Sequence, residues 1–270
     1  MSKRAIYENY KKVYNQLQGV KTEGTFQKTG TLTPKEFVEA GDTLVQKIPV
    51  WQWASGEGAD YLPSDKKYLI YRGAMCFDRA PAQDEKDNEA IDEDGWVSTH
   101  IDHVPKARAA PAAQKEINWE DDEDDEEAAD EDLQERRCRL YDVTVVYDQY
   151  YQTPRVFITG YSESNHSLPL TKDEMMQDVY AANREKTVSV DPHPFLKAAS
   201  ISIHPCRHAE TMKRTLESLR ERLDESQEDI PEAERVPFMF PTYLALFVFL
   251  KFISSVVPTI EYDVSIDLDM

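Results

Sequence analysis

The chain has 270 residues, of which 40% are hydrophobic and 10% aromatic, so it can bury a core of its own and is expected to be globular. Its three cysteines, Cys76, Cys138 and Cys206, are odd in number and widely spaced, which excludes a disulfide framework and favours a reducing compartment. The net charge of −20 argues against a nucleic-acid partner, and the first residues lack the apolar stretch of a secretory signal. We therefore expect a cytoplasmic protein with no cofactor and no bound metal.

Residues 1–20 are the first predicted element, an amphipathic helix that contacts membranes. Its apolar side chains recur on one helical face: Ile6, Tyr10, Val13 and Leu17. The stretch is basic, with Lys3, Arg4, Lys11 and Lys12 against Glu8. A basic amphipathic helix can lie on an anionic membrane surface. The same apolar stripe would also suit a helix packed on the protein's own core.

The first part of the core is predicted over residues 21–83. The sequence TPKE, beginning at Thr33, combines an N-cap threonine, a proline at the first helical position and a glutamate at the third, so a helix should begin there. Its apolar face consists of Phe37, Leu44, Val45 and Ile48. Gly41 lies on the same face and would allow a neighbouring element to pack close to the helix. Strands are then expected over Val50–Trp53 and Lys67–Phe77.

Residues 84–132 are predicted to form a flexible acidic insert. This stretch holds 20 acidic and 4 basic residues, and its centre, Glu120 to Asp132, has almost nothing to bury, so we expect it to be disordered. It can act as a solvated spacer or as a docking segment for a basic partner. Trp96 is a candidate anchor for docking, because an isolated tryptophan in a polar segment gains little unless it folds onto a partner. Trp119 is a poorer candidate. It could begin a docking motif in which an aromatic residue is followed three positions later by an aliphatic one, but that later position is Asp122.

The second part of the core is predicted over residues 133–270. Two adjacent β-rich stretches, Arg139–Tyr151 and Pro154–Tyr161, are typical of an antiparallel meander. The later elements are a helix from Lys172 to about Asn183, a strand over Lys186–Val190, a helix striped by Met212, Leu216, Leu219 and Leu223, a short helical extension at about 211–241 and an apolar helix over Tyr243–Val257. This order of elements predicts an α+β fold with an antiparallel sheet flanked by helices.

The segment SIHPCRH, Ser202 to His208, carries the main candidate for chemistry. It brings Cys206 from a β-like stretch to a helix start, where the helix N-terminus and Arg207 would favour a reactive thiolate. A lone cysteine in an intracellular protein is also often an inert, buried side chain. A zinc site would use His193, His204, Cys206 and His208, but their spacing matches no usual zinc module. A cysteine protease would need distant partners that spacing does not locate. The residues alone therefore leave the chemistry open.

Five segments together resemble the autophagy-related protein 3 family. They are GDTLVQKIPVWQW from Gly41, VVYDQYYQTPRVFITGY from Val145, KTVSVDPHP from Lys186, SIHPCRHAETMKR from Ser202 and LFVFLKFISSVVPTIEYD from Leu246. The resemblance covers nearly the whole chain in order, and DGWVSTH inside the insert belongs to it. It implies a core similar to ubiquitin-conjugating enzymes.

The resemblance also implies an activity and its partners. Cys206 would accept an autophagy ubiquitin-like protein as a thioester from its activating enzyme and pass it to the amine of phosphatidylethanolamine during autophagosome formation, with a ligase-like complex assisting. Thr187 matches a family threonine thought to lie beside the active site, and His204-Pro205 runs directly into the cysteine. Trp96 would help to dock the activating enzyme. The protein would be cytoplasmic and peripherally associated with autophagic membranes.

Two other classes of function remain open at this stage. A non-catalytic binding module of the same fold would keep the core without needing a reactive thiol. A thiol hydrolase would use Cys206 and His208 to release acyl groups to water. A transfer assay with phosphatidylethanolamine vesicles distinguishes these classes from the conjugating enzyme.

Overall fold

A computed structural model describes residues 3–77, 79–80, 138–179, 188–227, 231, 235–257 and 259–260. The predictions for the acidic insert 84–132, including Trp96 and Trp119, lie outside these residues, as does Thr187. Among the described residues, every helix is too short or too polar to cross a bilayer.

An antiparallel sheet of six strands forms the centre of the fold. The strands are β1 Gln52–Ala54, β2 Tyr68–Cys76, β3 Arg139–Asp148, β4 Thr153–Tyr161, β5 Val188–Pro192 and β6 Ala199–Ile203. Their order across the sheet is β1-β2-β3-β4-β6-β5, so β6 lies between β4 and β5. The predicted α+β fold with an antiparallel sheet is confirmed.

The helices are α1 Lys3–Gln18, α2 Phe26–Thr29, α3 Pro34–Lys47, α4 Lys172–Met176, α5 His208–Ser226 and α6 Ala245–Val256, with 3₁₀ turns at Pro205–Arg207 and Thr242–Leu244. Helices α2 to α6 bury side chains in the core on one face of the sheet. Helices α3 and α4 both begin with capping boxes: the predicted one, Thr33 with Glu36, and a second one, Thr171 with Glu174. Each box satisfies two helix-terminal N–H groups that would otherwise lack a partner.

The main core lies between this face of the sheet and helices α3, α5 and α6. Helix α6 is apolar almost all round, and its residues Leu246 to Leu250 are fully buried against α3, α5 and β4. Gly41 of α3 lies against the ring of Trp53, where any larger side chain would collide. The predicted stripe on α5 is confirmed, with Met212 and Leu216 buried.

The opposite face of the sheet carries a small apolar cluster. Side chains alternate along β2, so that Leu69 enters the main core while Tyr68 and Ile70 join Val146 and Phe157 on the other face. Phe195 stacks on the ring of Tyr68 and shields this cluster from water.

Several predicted boundaries differ from the structure, two of them for clear reasons. The first strand is β1 Gln52–Ala54 because the chain turns before it, where the N–H of Trp51 donates to the carbonyl of Ile48. The helix starting at Lys172 ends at Met176 instead of about Asn183. It stops because Asp178 is drawn inward: its carboxylate binds Arg139 at 2.9 Å, and its carbonyl accepts from the hydroxyl of Thr259.

Two histidines are buried in neutral form in this fold. His193 accepts the N–H groups of Phe195 and Leu196 at Nδ1, and its Nε2 lies 2.9 Å from the Thr144 hydroxyl. Burial lowers the pKa of His193 to about 4. Burial likewise lowers the pKa of His208 to about 4, although the nearby carbonyl of Pro154 opposes the shift. A second proton on His193 would break the hydrogen bonds that its Nδ1 accepts. On His208 the proton would go to Nε2, which is buried without a hydrogen-bond partner among the described residues.

This burial predicts a loss of stability on mild acidification. Between pH 6.5 and about 4 the unfolded chain binds protons on these histidines and the folded protein does not, so the free energy of unfolding falls as the pH falls. At pH 5 we expect a loss of roughly 2 kcal/mol per histidine relative to pH 7. Urea unfolding at the two pH values measures it, and His193→Gln should show a smaller difference. An unchanged difference in that variant would contradict the assignment.

Candidate active site

Cys206 lies at the joint between a buried strand and a helix. Strand β6 ends at Ile203, which is fully buried, and the 3₁₀ turn Pro205–Arg207 then leads into α5. Pro205 and His208 are buried on either side of the cysteine, whereas Cys206 is exposed. The predicted passage from strand to helix is confirmed. The cysteine is therefore anchored on both sides and open to a large partner.

His204 closes the turn that presents the thiol. Its Nδ1 accepts the backbone N–H of Cys206 at 3.3 Å, so the imidazole acts as the N-cap of the turn. Desolvation lowers the pKa of His204, and the positive charges of Arg155 and Lys11 lower it further. The neutral ring is the form that can accept this hydrogen bond. His204 thus positions the backbone of the cysteine through an unprotonated nitrogen.

His208 packs in the core directly after the turn that carries Cys206. Its ring is completely buried between Phe249 and Phe252, and its Nδ1 donates to the carbonyl of Pro154 at 2.9 Å. Its Nε2 is buried and has no hydrogen-bond partner among the described residues. A general base must reach its proton donor within hydrogen-bond distance. The geometry therefore favours a structural role for His208 over the hydrolase pairing with Cys206.

The turn between β3 and β4 brings two tyrosines to the site. Asp148 Oδ1 accepts the N–H groups of Tyr150 and Tyr151 at 3.0 and 3.1 Å. The ring of Tyr151 meets His204 edge-on, with 5.7 Å between the ring centroids. Sequence reasoning assigned these tyrosines to a strand end and missed them as site residues. An aspartate followed by polar and aromatic residues before a proline was the available signal for a turn.

Helix α1 docks on this aromatic turn. The Tyr7 hydroxyl lies 2.7 Å from that of Tyr151, and burial together with this hydrogen bond raises the pKa of Tyr151. Lys11 stands over the rings of Tyr7, Tyr150 and Tyr151, each within about 5 Å of the ammonium. The inner face of α1 thus packs beside the turn that contacts His204.

The outer face of α1 carries the residues predicted to bind membranes. All four are exposed: Ile6 at 58%, Tyr10 at 54%, Val13 at 55% and Leu17 at 83%. Tyr10 also turns its ring edge toward Tyr150. The helix therefore packs on the protein through one face and leaves an apolar face in solvent, which combines the two interpretations that the sequence allowed.

The four candidate zinc ligands do not converge. Within the described residues, no group of three histidine, cysteine or acidic side chains could hold a metal ion. His193 and His208 are engaged in separate buried contacts, and His204 caps its own turn. Of the residues predicted to support catalysis, the structure brings His204 and Pro205 beside Cys206, whereas Thr187 lies outside the described part of the chain.

Comparisons with known proteins match nearly the whole chain. A family profile described as "Autophagocytosis associated protein, active-site domain" matches residues 36–264. A protein named autophagy-related protein 3 from Arabidopsis thaliana is 35% identical over 98% of this chain and 96% of its own length. Proteins of the same name from Kluyveromyces lactis and Dictyostelium discoideum are 33% and 30% identical, over 90% and 98% of this chain and 93% and 98% of their own lengths.

The environments of the cysteines predict selective alkylation. Cys76 is fully buried, and desolvation raises its pKa to about 11, which cuts its thiolate roughly a hundredfold. Brief treatment of the native protein with iodoacetamide should label exposed Cys206 and spare Cys76, as measured by peptide mass spectrometry. Cys206→Ala should remove the fast-labelled site, and urea should expose Cys76. Native labelling of Cys76 as fast as Cys206 would contradict this account.

Proposed function

Because the chain belongs to the autophagy-related protein 3 family, we propose that it is a conjugating enzyme for an autophagy ubiquitin-like protein, with Cys206 as the acyl carrier and phosphatidylethanolamine as the acceptor. The observation that carries the proposal is the exposed thiol of Cys206 on a joint that is buried on both sides. A carrier must admit two large partners in turn, the activating enzyme and the membrane. A rigid base and an open thiol suit that task.

The reaction has two acyl transfers. The Cys206 thiolate attacks the carbonyl carbon of the thioester on the activating enzyme, whose own thiolate leaves. The lipid amine then attacks the new thioester on Cys206, the carbon–sulfur bond breaks and an amide forms. The sulfur keeps the electron pair as a thiolate, and the amine releases its proton to solvent at the exposed face of the site. The thioester preserves the acyl group in activated form between the two steps.

The residues around Cys206 are better suited to holding the thiol in position than to transferring protons. The backbone N–H of Cys206 already donates to His204, so this N–H is committed to holding the turn. The neutral imidazole keeps the loop in place without adding charge next to the incoming amine. We propose that His204 and Pro205 fix the direction of the thiol, and that Thr187 supports the same site as the family resemblance implies.

Helix α1 supplies a route to the lipid. Its exposed apolar face carries Val13 and Leu17, and its inner face contacts the turn next to His204. A helix lying in the interface by its outer face would hold Cys206 close to the lipid headgroups. We propose peripheral association with autophagic membranes on this basis. A ligase-like complex would act on the enzyme placed there.

The test of the acyl carrier is replacement of Cys206. Cys206→Ala should abolish the covalent adduct with the ubiquitin-like protein, because neither Cys76 nor Cys138 occupies the exposed joint. Cys206→Ser should instead trap a more stable oxyester, since an alkoxide leaves far less readily than a thiolate. Non-reducing gel electrophoresis after incubation with the activating enzyme and ATP measures both. An adduct that persists in the alanine variant would refute the assignment.

The membrane role of α1 is tested by a matched pair of charges. Leu17→Asp should reduce binding to anionic vesicles and slow lipid transfer about tenfold or more, because it places a charge in the interfacial face. Gln16→Asp adds the same charge at an exposed polar position and should change both far less. Thioester formation should be normal in both, since each side chain is exposed and costs the fold at most about 0.5 kcal/mol. Equal loss of loading and transfer would contradict a membrane role.

The insert is proposed to recruit the activating enzyme. Trp96 would act as an aromatic anchor, and the 20 acidic residues of 84–132 would raise the rate of encounter. Trp96→Ala should slow loading of Cys206 several-fold, whereas Trp119→Ala in the same insert should not. Transfer from enzyme that is already loaded should be unchanged in both variants. Normal loading with Trp96→Ala would leave the insert as a solvated spacer.

A further inference from the structure

A cleft of about 470 Å³ opens between α1 and the sheet. Lysines 11 and 12 of α1 form one wall, and the end of β3, part of β4 and the segment around β5 form the other. The charged residues that line it are Lys11, Lys12, Asp148, Arg155, Asp191 and Lys197. Four cations and two carboxylates thus face one cleft in a chain of net charge −20. This local excess of positive charge favours an anionic group.

The cleft contains charges of both signs, some paired with each other and some exposed at its edge. Arg155 is held by the carboxylate of Asp191 and by the Ser202 hydroxyl at 2.8 Å. Asp148 Oδ2 stands about 4 Å from both Lys11 and Arg155, so it contacts two cations loosely and binds neither closely. Lys12 and Lys197 are exposed at the rim. A ligand with both an anionic and a cationic group can therefore find partners for each.

The cleft is linked to the thiol by contacts between side chains. Lys11, which lines the cleft, also lies over the ring of Tyr151. That ring contacts the imidazole of His204, which accepts the N–H of Cys206. Besides desolvation, the positive charges of Arg155 and Lys11 lower the pKa of His204. The cleft and the acyl carrier are thus joined through Tyr151 and His204.

We propose that this cleft binds the phosphoethanolamine headgroup of the lipid acceptor, with the phosphate on Lys11 and Lys12 and the ammonium on Asp148. The proposal rests on the proposed function, because it assigns a place to the acceptor of that reaction. Tyr150 in the wall adds an aromatic ring, which already lies below the ammonium of Lys11 and can stabilise a cation. Helix α1 presents its apolar face to the membrane and its lysines to the cleft, so a headgroup at the helix can enter while its acyl chains stay in the bilayer.

Free phosphate shares half of this chemistry, so the test separates the two sources. Glycerophosphoethanolamine, inorganic phosphate and ethanolamine are each titrated into the full chain without any thioester, and binding is followed by calorimetry. We expect glycerophosphoethanolamine to bind with a Kd on the order of a few millimolar and more tightly than either fragment. Equal binding of inorganic phosphate would overturn the headgroup assignment in favour of a simple anion site.

Three variants test the residues. Lys12→Gln removes a charge at the rim and should weaken glycerophosphoethanolamine about fivefold. Asp148→Asn removes the negative charge while its Oδ1 still accepts from Tyr150 and Tyr151. It should weaken glycerophosphoethanolamine by a similar factor, whereas inorganic phosphate should bind at least as tightly as to the wild type, because a carboxylate about 4 Å from Lys11 and Arg155 is lost. Lys35→Gln neutralises an exposed lysine that does not line the cleft and should bind like the wild type.

The two proposals fail in different ways. Binding of glycerophosphoethanolamine that is unaffected by Lys12→Gln and Asp148→Asn, or no binding at all, overturns the cleft while Cys206 can still load and transfer. Failure of Cys206 to load overturns the proposed function. Binding of glycerophosphoethanolamine to the protein without a thioester can still be measured in that case. With vesicles, Lys12→Gln should raise the phosphatidylethanolamine content needed for half-maximal transfer about fivefold, and Lys35→Gln should leave it unchanged.

Discussion

The carboxylate of Asp148 connects the elements that surround Cys206. Its Oδ1 accepts hydrogen bonds from the backbone N–H groups of Tyr150 and Tyr151 and so shapes the turn. Its Oδ2 faces Lys11 of α1 and Arg155 of β4. The turn then carries the tyrosine that contacts His204. Asp148 at the end of β3 therefore shapes the turn on which the N-terminal helix packs and which contacts the histidine that holds the thiol. The strand beneath is rigid because its side chains alternate between two apolar layers.

Much of the fold was predictable because its signals are local. The capping boxes at Thr33 and Thr171, the stripe on α5 and the passage from β6 to Cys206 each depend on residues within one or two helical turns. The position of β6 between β4 and β5 was not predictable, since strand order depends on pairings that sequence spacing does not reveal. The early end of α4 also escaped prediction. It depends on Arg139, which is remote in the chain from Asp178.

The candidate site was predictable at the cysteine and not around it. The segment SIHPCRH indicated where a thiol meets a helix start, and His204 and Pro205 lie in that segment. Tyr151 comes from a different hairpin, and Lys11 comes from a helix some 140 residues earlier in the chain. Their approach depends on how the sheet and α1 pack together. The hydrophobic periodicity of a segment does not predict contacts with distant segments, so the aromatic turn and the cleft could be found only from the structure.

The burial of His208 beneath the joint has a consequence for synthesis of the protein. The base of the candidate site is made by Phe249 and Phe252 of α6, whereas Cys206 itself is translated some 40 residues earlier. A ribosome-bound chain that has reached only residue 240 therefore lacks this support and leaves exposed the part of the core that α6 covers. Such a nascent chain is a natural client for chaperones. Completion of α6 is then the event that matures the site, so the thiol acquires its rigid setting only when the last core helix is in place.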